Sequence, residues 1–299
     1  MKYASLDIGT NTILLLIGDI DRDIQDILDI SSITRLGEGL KEHGYLLDTA
    51  MGRTIEVLKG YRNIAKAHSV KDIYCVGTSA LREAKNSLEF LEMVKRECGI
   101  SVHVISGQQE AYYTYLSVKK DSVFKIDPLF IVDIGGGSSE IIIGDRKKMT
   151  DYVSMPIGTV KLTEMFIKHD PPLEDEINSM KSYIGTFLDK YFARAGHIFI
   201  GTGGTITNLA SIMLGLEVFD KGRIHGFSFS LHELRDITAK LKGIDTSERE
   251  KMRGIEKGRE DIITQGAILL EEIMSHYTLS DCVVSTKGVR YGVLYEHFF

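Results

Sequence analysis

Short β-branched apolar runs alternate along this chain with longer stretches whose apolar residues recur at three- and four-residue spacing, and the whole alternation occurs twice. In the first half, residues 3–20 read as two strands around a glycine turn, and residues 30–36 as a third strand. Residues 48–67 have helical spacing, with Ile55, Leu58 and Ile64 on one stripe and Asp48 placed to cap the start. A strand at 72–76 feeds Gly77-Thr78-Ser79-Ala80-Leu81-Arg82. A helix at about 87–97, a strand at 102–105 and a helix from Ser106-Gly107-Gln108-Gln109-Glu110 to about 118 complete this half. The second half repeats the order. Strand, turn and strand span about 129–144, and a third strand leads to Pro156-Ile157-Gly158. Helices follow over about 159–168 and 173–193, then a strand at 197–200 entering Gly201-Thr202-Gly203-Gly204-Thr205. A strand at 282–285 enters Gly288-Val289-Arg290 and a last helix. Residues 220–275, between those two strands, form an insertion of mainly helical spacing.

The repetition extends to individual residues. Asp7-Ile8-Gly9-Thr10-Asn11-Thr12, continuing to Ile17-Gly18-Asp19, aligns without a gap on Asp133-Ile134-Gly135-Gly136-Gly137-Ser138, continuing to Ile143-Gly144-Asp145. A lone glycine hairpin is ordinary, but two matching copies point to an internal duplication of a β-β-β-α-β-α-β-α unit. The fold class is therefore α/β, two mixed-sheet domains with helices on the sheet faces. The domains are expected at 1–124 and 125–299, the second carrying the insertion, with the last helix free to pack back on the first domain. Ligands of such sheets bind beyond the strand ends. The expectation is that the two domains face each other across a central cleft lined by the glycine turns.

The chemistry expected there follows from Asp133-Ile134-Gly135-Gly136-Gly137-Ser138-Ser139-Glu140. Three successive glycines weaken a strand, but they let backbone N–H groups approach and converge on an anion. Ser138 and Ser139 add hydroxyl donors. Asp133 and Glu140 would repel a phosphate unless a cation stands between, so the octet proposes a phosphate–Mg²⁺ site, with Asp133 the first choice as metal ligand and Asp7 and Glu140 the second. Gly9, Thr10, Asn11 and Thr12 are the matching phosphate-binding set of the first copy, and hairpin-turn hydrogen bonding is the plainer role of each acid.

At 299 residues with 43% apolar content, two proper cores can form. A net charge of −6 argues against a general nucleic-acid binder. The three cysteines, Cys75, Cys98 and Cys282, are widely spaced without a CxxC, which fits a reducing cytoplasm. The N-terminus lacks the charged and cleavable pattern of a signal peptide, and no apolar run approaches the roughly 20 residues needed to cross a bilayer, so no membrane partner is expected. Oligomeric state is open, a homodimer included. No P-loop motif is present. Arg249, Lys251, Arg253, Lys257 and Arg259 are interleaved with Glu248, Glu250, Glu256 and Glu260 and read as a solvated helix face rather than an anion track.

The duplicated plan resembles the actin-like (ribonuclease H-like) ATPase fold. Within it the chain resembles the exopolyphosphatase/guanosine pentaphosphate phosphatase family (Ppx/GppA). The resemblance rests on Asp7-Ile8-Gly9-Thr10-Asn11-Thr12, Arg35-Leu36-Gly37-Glu38-Gly39-Leu40, Gly77 to Arg82, Ile105-Ser106-Gly107-Gln108-Gln109-Glu110-Ala111, the octet, Ile224-His225-Gly226 and Gly288-Val289-Arg290-Tyr291-Gly292, in family order over nearly the whole chain. Two departures stand out. Many members continue into a helical HD-type domain after the point where this sequence stops. The late motif also usually has an acid after its arginine, where this chain has Tyr291.

The resemblance implies Mg²⁺-dependent hydrolysis of the terminal phosphoanhydride of inorganic polyphosphate. Guanosine pentaphosphate (pppGpp) is the close alternative substrate, and an ATPase or kinase of the same fold the more distant one. It also implies that Glu110, the acid of a Gly-x-x-Glu-Ala pattern, orients the attacking water. A helix-start glutamate favoured by the macrodipole is the bland account of the same residue. Arg82, a cation at a helix start where the dipole disfavours it, is a candidate to bind phosphate and stabilise developing charge. Gly203, Gly204 and Thr205 lie where actin-like ATPases hold adenosine and are candidates to receive phosphate instead.

Overall fold

Each glycine turn closes a β-hairpin, and each hairpin grows into a sheet of the same strand order. In the computed structural model, which describes residues 1–299 except 22, 125–126 and 192–197, the chain divides into two units. One comprises Met1–Lys120 with Lys287–Phe299, the other Asp121–Thr286.

The first unit contains β1 (Lys2–Ile8), β2 (Thr12–Ile20), β3 (Ile24–Ile33), α1 (Leu40–His43), α2 (Asp48–Ala67), β4 (Asp72–Gly77), α3 (Ser79–Glu83), α4 (Ser87–Cys98), β5 (Val102–Val104) and α5 (Gly107–Lys119). Its sheet order is β3-β2-β1-β4-β5, antiparallel across β1–β2 and β2–β3 and parallel across β1–β4 and β4–β5. Ile8, Ile13 and Leu15 are fully buried with Leu58 of α2 and Phe90 and Val94 of α4 in the core on one face. β3 begins at Ile24, earlier than its apolar residues suggest. As an edge strand it needs ladder partners on one side only, and its aspartates are tolerated there. Asp48 is the first residue of α2 rather than its cap; Leu47 is at the cap without a side-chain bond, and the Asp48 carboxylate suits the dipole at that end.

The second unit contains β6 (Leu129–Ile134), β7 (Ser139–Gly144), β8 (Met149–Met155), α6 (Thr159–Phe166), α7 (Glu174–Leu188), β9 (Ile198–Thr202), α8 (Gly204–Met213), α9 (Lys221–Ile224), β10 (Ser228–Ser230), α10 (Leu231–Lys242), α11 (Thr246–Arg249), α12 (Ile263–His276) and β11 (Asp281–Val284). Its sheet order, β8-β7-β6-β9-β11, repeats that of the first unit and adds β10 at the edge. The helix expected to about 193 ends at Leu188, with residues 189–191 non-helical, and residues 192–193 and the expected strand start at 197 lie outside the described residues. The duplication inferred from aligned residues is thus a duplication of sheet topology. The insertion is helical at α9 to α12 with irregular chain after α11.

The last helix, α13 (Val289–Phe298), belongs to the first unit. Its approach to α5 is set by Gly292: a Cβ there would fall inside the Tyr113 backbone, so the two helix backbones touch. Leu16 and Leu116 form a separate apolar cluster with Tyr291, Leu294 and Tyr295 of α13. Among the described residues no helix is long and apolar enough to cross a membrane, and the three cysteines are free and buried.

Not every glycine is required by packing. A Cβ on Gly60, inside α2, would meet nothing within 4 Å. Gly60→Ala is therefore expected to stabilise the protein by about 0.5–1 kcal/mol through helix propensity. A lower denaturation midpoint would contradict the open space drawn for this position.

Candidate functional site

Both turns are built the same way. In the first unit the Gly9 amide donates to the Thr12 carbonyl at 3.0 Å, and in the second the Gly135 amide donates to the Ser138 carbonyl at 3.0 Å. The loop after the third strand then props each turn from outside. Gly37 donates to Thr10 O at 2.9 Å, while Thr34 and Arg35 donate to Asn11 O at 3.0 and 2.9 Å. In the second unit Thr159 donates to Gly135 O at 3.0 Å and Val160 to Gly136 O at 2.9 Å. A glycine permits each approach: Gly37 lies against Thr10, and a Cβ on Gly158 would stand 2.5 Å from the Gly136 carbonyl carbon. With its carbonyls spent on the prop, a turn presents amides and hydroxyls. Thr10 and Asn11 are buried, and the Thr10 hydroxyl has no hydrogen-bond partner among the described residues. An oxyanion would satisfy such a group.

Asp7 and Asp133 hold equivalent places, each one residue before its strand ends and each 9% exposed. Glu140 differs. It is 1% exposed, it pairs across the sheet with Asp133 and Ser154, and its Oε1 accepts from Ser154 Oγ at 2.7 Å. Ser139 is likewise turned inward, its hydroxyl donating to Ile157 O at 2.8 Å. That proton is committed to structure, so Ser138 is the better placed hydroxyl of this turn. Sequence pattern missed this distinction because the acceptor of the Ser139 hydroxyl, Ile157 O, lies 18 residues away on the loop after the third strand.

The Gly201–Thr205 turn of the second unit converges on Asp133. Gly203, at φ +92°, caps α8, and a Cβ on it would lie 2.6 Å from Asp133 Oδ1 and 2.6 Å from Ile134 O. Gly203, Gly204 and Thr205 therefore stand beside the Asp133 end of β6. Gly204 in turn lies against the Arg259 guanidinium, to which its Cβ would come within 2.6 Å of Nη1. Arg259 is 8% exposed, and its Nε donates to Glu256 Oε2 at 2.5 Å. The solvated helix face expected for residues 248–260 is therefore corrected at two arginines. Arg249 is buried in an ion pair with Asp170 and donates to Glu260 O at 2.7 Å. The helix ends at Arg249, and Gly254 and Gly258, both at φ +92°, turn the following chain back on α8. No local pattern distinguishes Arg259 from Lys257; the selection is made by contact with Gly204.

Glu110 and Arg82 of the first unit are brought together. Ser106 caps α5 in a reciprocal capping box with Gln109, which sets the first turn and directs Glu110 inward to 8% exposure. Arg82 Nη1 donates to Glu110 Oε2 at 2.6 Å and to Ile105 O at 3.0 Å. Burial raises the Glu110 pKa above the ordinary carboxylate value, while the Arg82 charge and hydrogen bond pull it down without cancelling the rise. A buried carboxylate of raised pKa, fixed in orientation by one guanidinium, is equipped to take a proton from water.

Among the described residues no three His, Cys, Asp or Glu side chains form a closed metal cage. A Mg²⁺ ion that bridges substrate phosphates requires no cage. It keeps several waters and uses one or two carboxylates. Each of Asp133 and Asp7, taken in its own unit at the rim of a donor-rich turn, is a carboxylate of that kind.

The sequence matches the model of the Ppx/GppA phosphatase family over residues 17–298. It is 31% identical to a bifunctional 3-dehydroquinate synthase/phosphatase of Fusobacterium nucleatum, across 98% of this chain and 46% of that protein. It is 28% identical to exopolyphosphatase 2 of Mycobacterium tuberculosis, across 91% of this chain and 89% of that one. The chain thus spans about half of the first relative and most of the second. The crystal structure of the Aquifex aeolicus Ppx/GppA family member superposes with a TM-score of 0.83 at 35% identity, covering 99% of this chain and 97% of that one.

Proposed function

Because the chain belongs to the Ppx/GppA phosphatase family, we propose that it hydrolyses the terminal phosphoanhydride bond of inorganic polyphosphate and releases orthophosphate. The observation that carries this reading is the pairing of buried Glu110 with the partly buried Arg82 in a fold whose two hairpin turns are both propped to present donors. In the proposed reaction Glu110 accepts a proton as water attacks the terminal phosphorus. The anhydride P–O bond breaks, and the shortened chain leaves as an anion. Arg82 holds the Glu110 carboxylate in one orientation and offers positive charge to the phosphoryl oxygens. Thr10, Asn11 and Thr12, with Gly136, Gly137 and Ser138, are the phosphate donors, while Gly9 and Gly135, whose amides close the turns, leave room for the phosphate to approach. The Ser139 hydroxyl supports its turn from behind. Gly203, Gly204 and Thr205, with Arg259 against them, are a further phosphate contact. Asp133 is the first candidate to hold Mg²⁺ and Asp7 the second; Glu140, opposite Asp133 in the sheet with one oxygen accepting from Ser154, is the third. The ion would neutralise charge on the leaving chain. Free, buried cysteines fit a reducing cytoplasm.

The test is phosphate release by the purified protein with Mg²⁺, from polyphosphate and from guanosine pentaphosphate in parallel. Release from polyphosphate is expected. Release from the nucleotide alone would move the same bond chemistry to that substrate, and release from neither would overturn the reading.

A further inference from the structure

The late motif Gly288-Val289-Arg290-Tyr291-Gly292 starts α13, and its Tyr291 replaces an expected acid. The helix crosses the sheet face opposite the main core of its unit. Three cross-strand rows on that face matter. Ser5 pairs with Leu16, and Leu16 with Asp29. One row toward the turn, Asp7 pairs with Leu14, and Leu14 with Ser31. One row away, Tyr3 pairs with Gly18, and Gly18 with Asp26. Residues two apart on a strand share a face at roughly 6.5–7 Å, so Ser5 and Asp7 are neighbours there.

Arg290 is anchored on the middle row. Ser5 Oγ donates to its carbonyl at 2.7 Å. Its Nε and Nη2 donate to the two Asp29 oxygens at 2.7 and 2.9 Å, a bidentate pair. Tyr291 is 1% exposed. Its hydroxyl donates to Asp26 Oδ2 and lies 3.2 Å from Asp29 Oδ2, while its ring stacks under the Arg290 guanidinium at 5.1 Å. An acid in its place would set a third carboxylate against the exposed Asp26 and the partly buried Asp29. A phenol supplies the proton that such a pair needs. Burial works against the Arg290 charge, but Asp29 foremost, with Tyr291 and Asp7, outweighs it and keeps the guanidinium protonated.

We propose that Arg290, clamped by Asp29 and braced by Tyr291, is a positioning residue for Asp7. Its backbone is held on β1 by Ser5, one row behind Asp7, and its guanidinium is fixed on Asp29 at the β3 end of that same row, so its positive charge stands on the Asp7 face of the sheet. Tyr291 is the residue through which this chain achieves with a neutral donor what an acid at that place would disrupt. The inference rests on the proposed function, in which Asp7 serves the phosphate site.

A double-mutant cycle tests it. Arg290→Gln and Asp7→Asn are made singly and together, and each protein is measured for kcat and KM on polyphosphate with Mg²⁺ and for urea denaturation. Each single change is expected to lower kcat/KM by about tenfold or more, and R290Q to add less than about twofold in the D7N background. The shift in denaturation midpoint caused by R290Q is expected to differ between the two backgrounds as well. Tyr291→Glu should reproduce the R290Q loss, and Asp26→Asn added to Y291E should recover part of it, which a simple packing defect would not. Additive effects in both readouts would overturn the proposal. If R290Q does not fold, Arg290→Lys and Asp29→Asn carry the same cycle. If the native protein releases no phosphate, the functional reading falls by itself, and coupling in denaturation alone decides whether Arg290 acts on Asp7.

Discussion

Replacing Glu110 by Gln is expected to lower kcat by about 10²–10⁴-fold, the usual worth of a general base, while the protein folds at least as stably as before. The two halves of this expectation share one cause. Glu110 is buried, and burial is the largest influence on its pKa, raising it above the ordinary 4.5 against the opposing pull of Arg82. Below that ordinary value Glu110 is protonated in both folded and unfolded chains. As pH rises past it, the unfolded chain ionises first, and the stability contributed by the protonated folded form is lost up to the raised folded pKa. At neutral pH the ionised carboxylate is therefore a cost to folding, and a neutral amide of the same shape removes it. The Arg82 Nη1 donor, 2.6 Å from Glu110 Oε2, still finds an acceptor in the Gln oxygen. The same shift places the acid limb of the kcat/KM profile above 4.5, activity growing with pH as the base ionises. Steady-state kinetics and urea denaturation of the same preparation decide the matter. Unchanged turnover would remove Glu110 as the base. A clear loss of stability would show that pairing with Arg82 outweighs burial.

Gly158→Ala is expected to destabilise the second unit by about 3–4 kcal/mol and to raise the KM for polyphosphate by an order of magnitude or more, as overpacking against backbone allows little relief. Gly158 has φ −153°, which any residue adopts, so the effect is steric alone. Its Cβ would stand 2.5 Å from Gly136 C, 2.6 Å from Gly136 O and 2.6 Å from Gly137 N. None of these is a side-chain tip that can swing aside. The chain must withdraw, and the amides of Thr159 and Val160 would leave the Gly135 and Gly136 carbonyls they hold at 3.0 and 2.9 Å. Denaturation midpoint and KM together check this. A variant with native stability and native KM would show that the prop is not needed.

The turns were legible because their information is local. Asp7-Ile8-Gly9 and Asp133-Ile134-Gly135 state a strand end and a bend within a few residues, and the ungapped match between copies carries over to an identical strand order. The inward acid of α5 was half legible. The pattern placed Glu110 at a helix start, but its partner Arg82 is 28 positions away, and no periodicity records a partner at that distance. Arg249 and Arg259 stand in a run of alternating charges, a pattern that usually marks a solvated face. Two glycines of left-handed φ bent that segment back on α8, and the arginines were buried by Asp170, Glu256 and Gly204.

What the sequence determined by itself is the set of residues whose role depends on the backbone next to them: the hairpin glycines, the strand-end aspartates Asp7 and Asp133, and the twofold repeat of the fold. What only the tertiary structure decided is how side chains are shared out among partners. Ser139 and Glu140 are drawn into the sheet by Ile157 and Ser154, Arg82 is paired with Glu110, and Tyr291 is set on Asp26 and Asp29. The physical reason is range. A bend or an alternation is written in consecutive φ and ψ angles, whereas a hydrogen bond between distant positions exists only once packing has brought its two ends within 3 Å or so of each other.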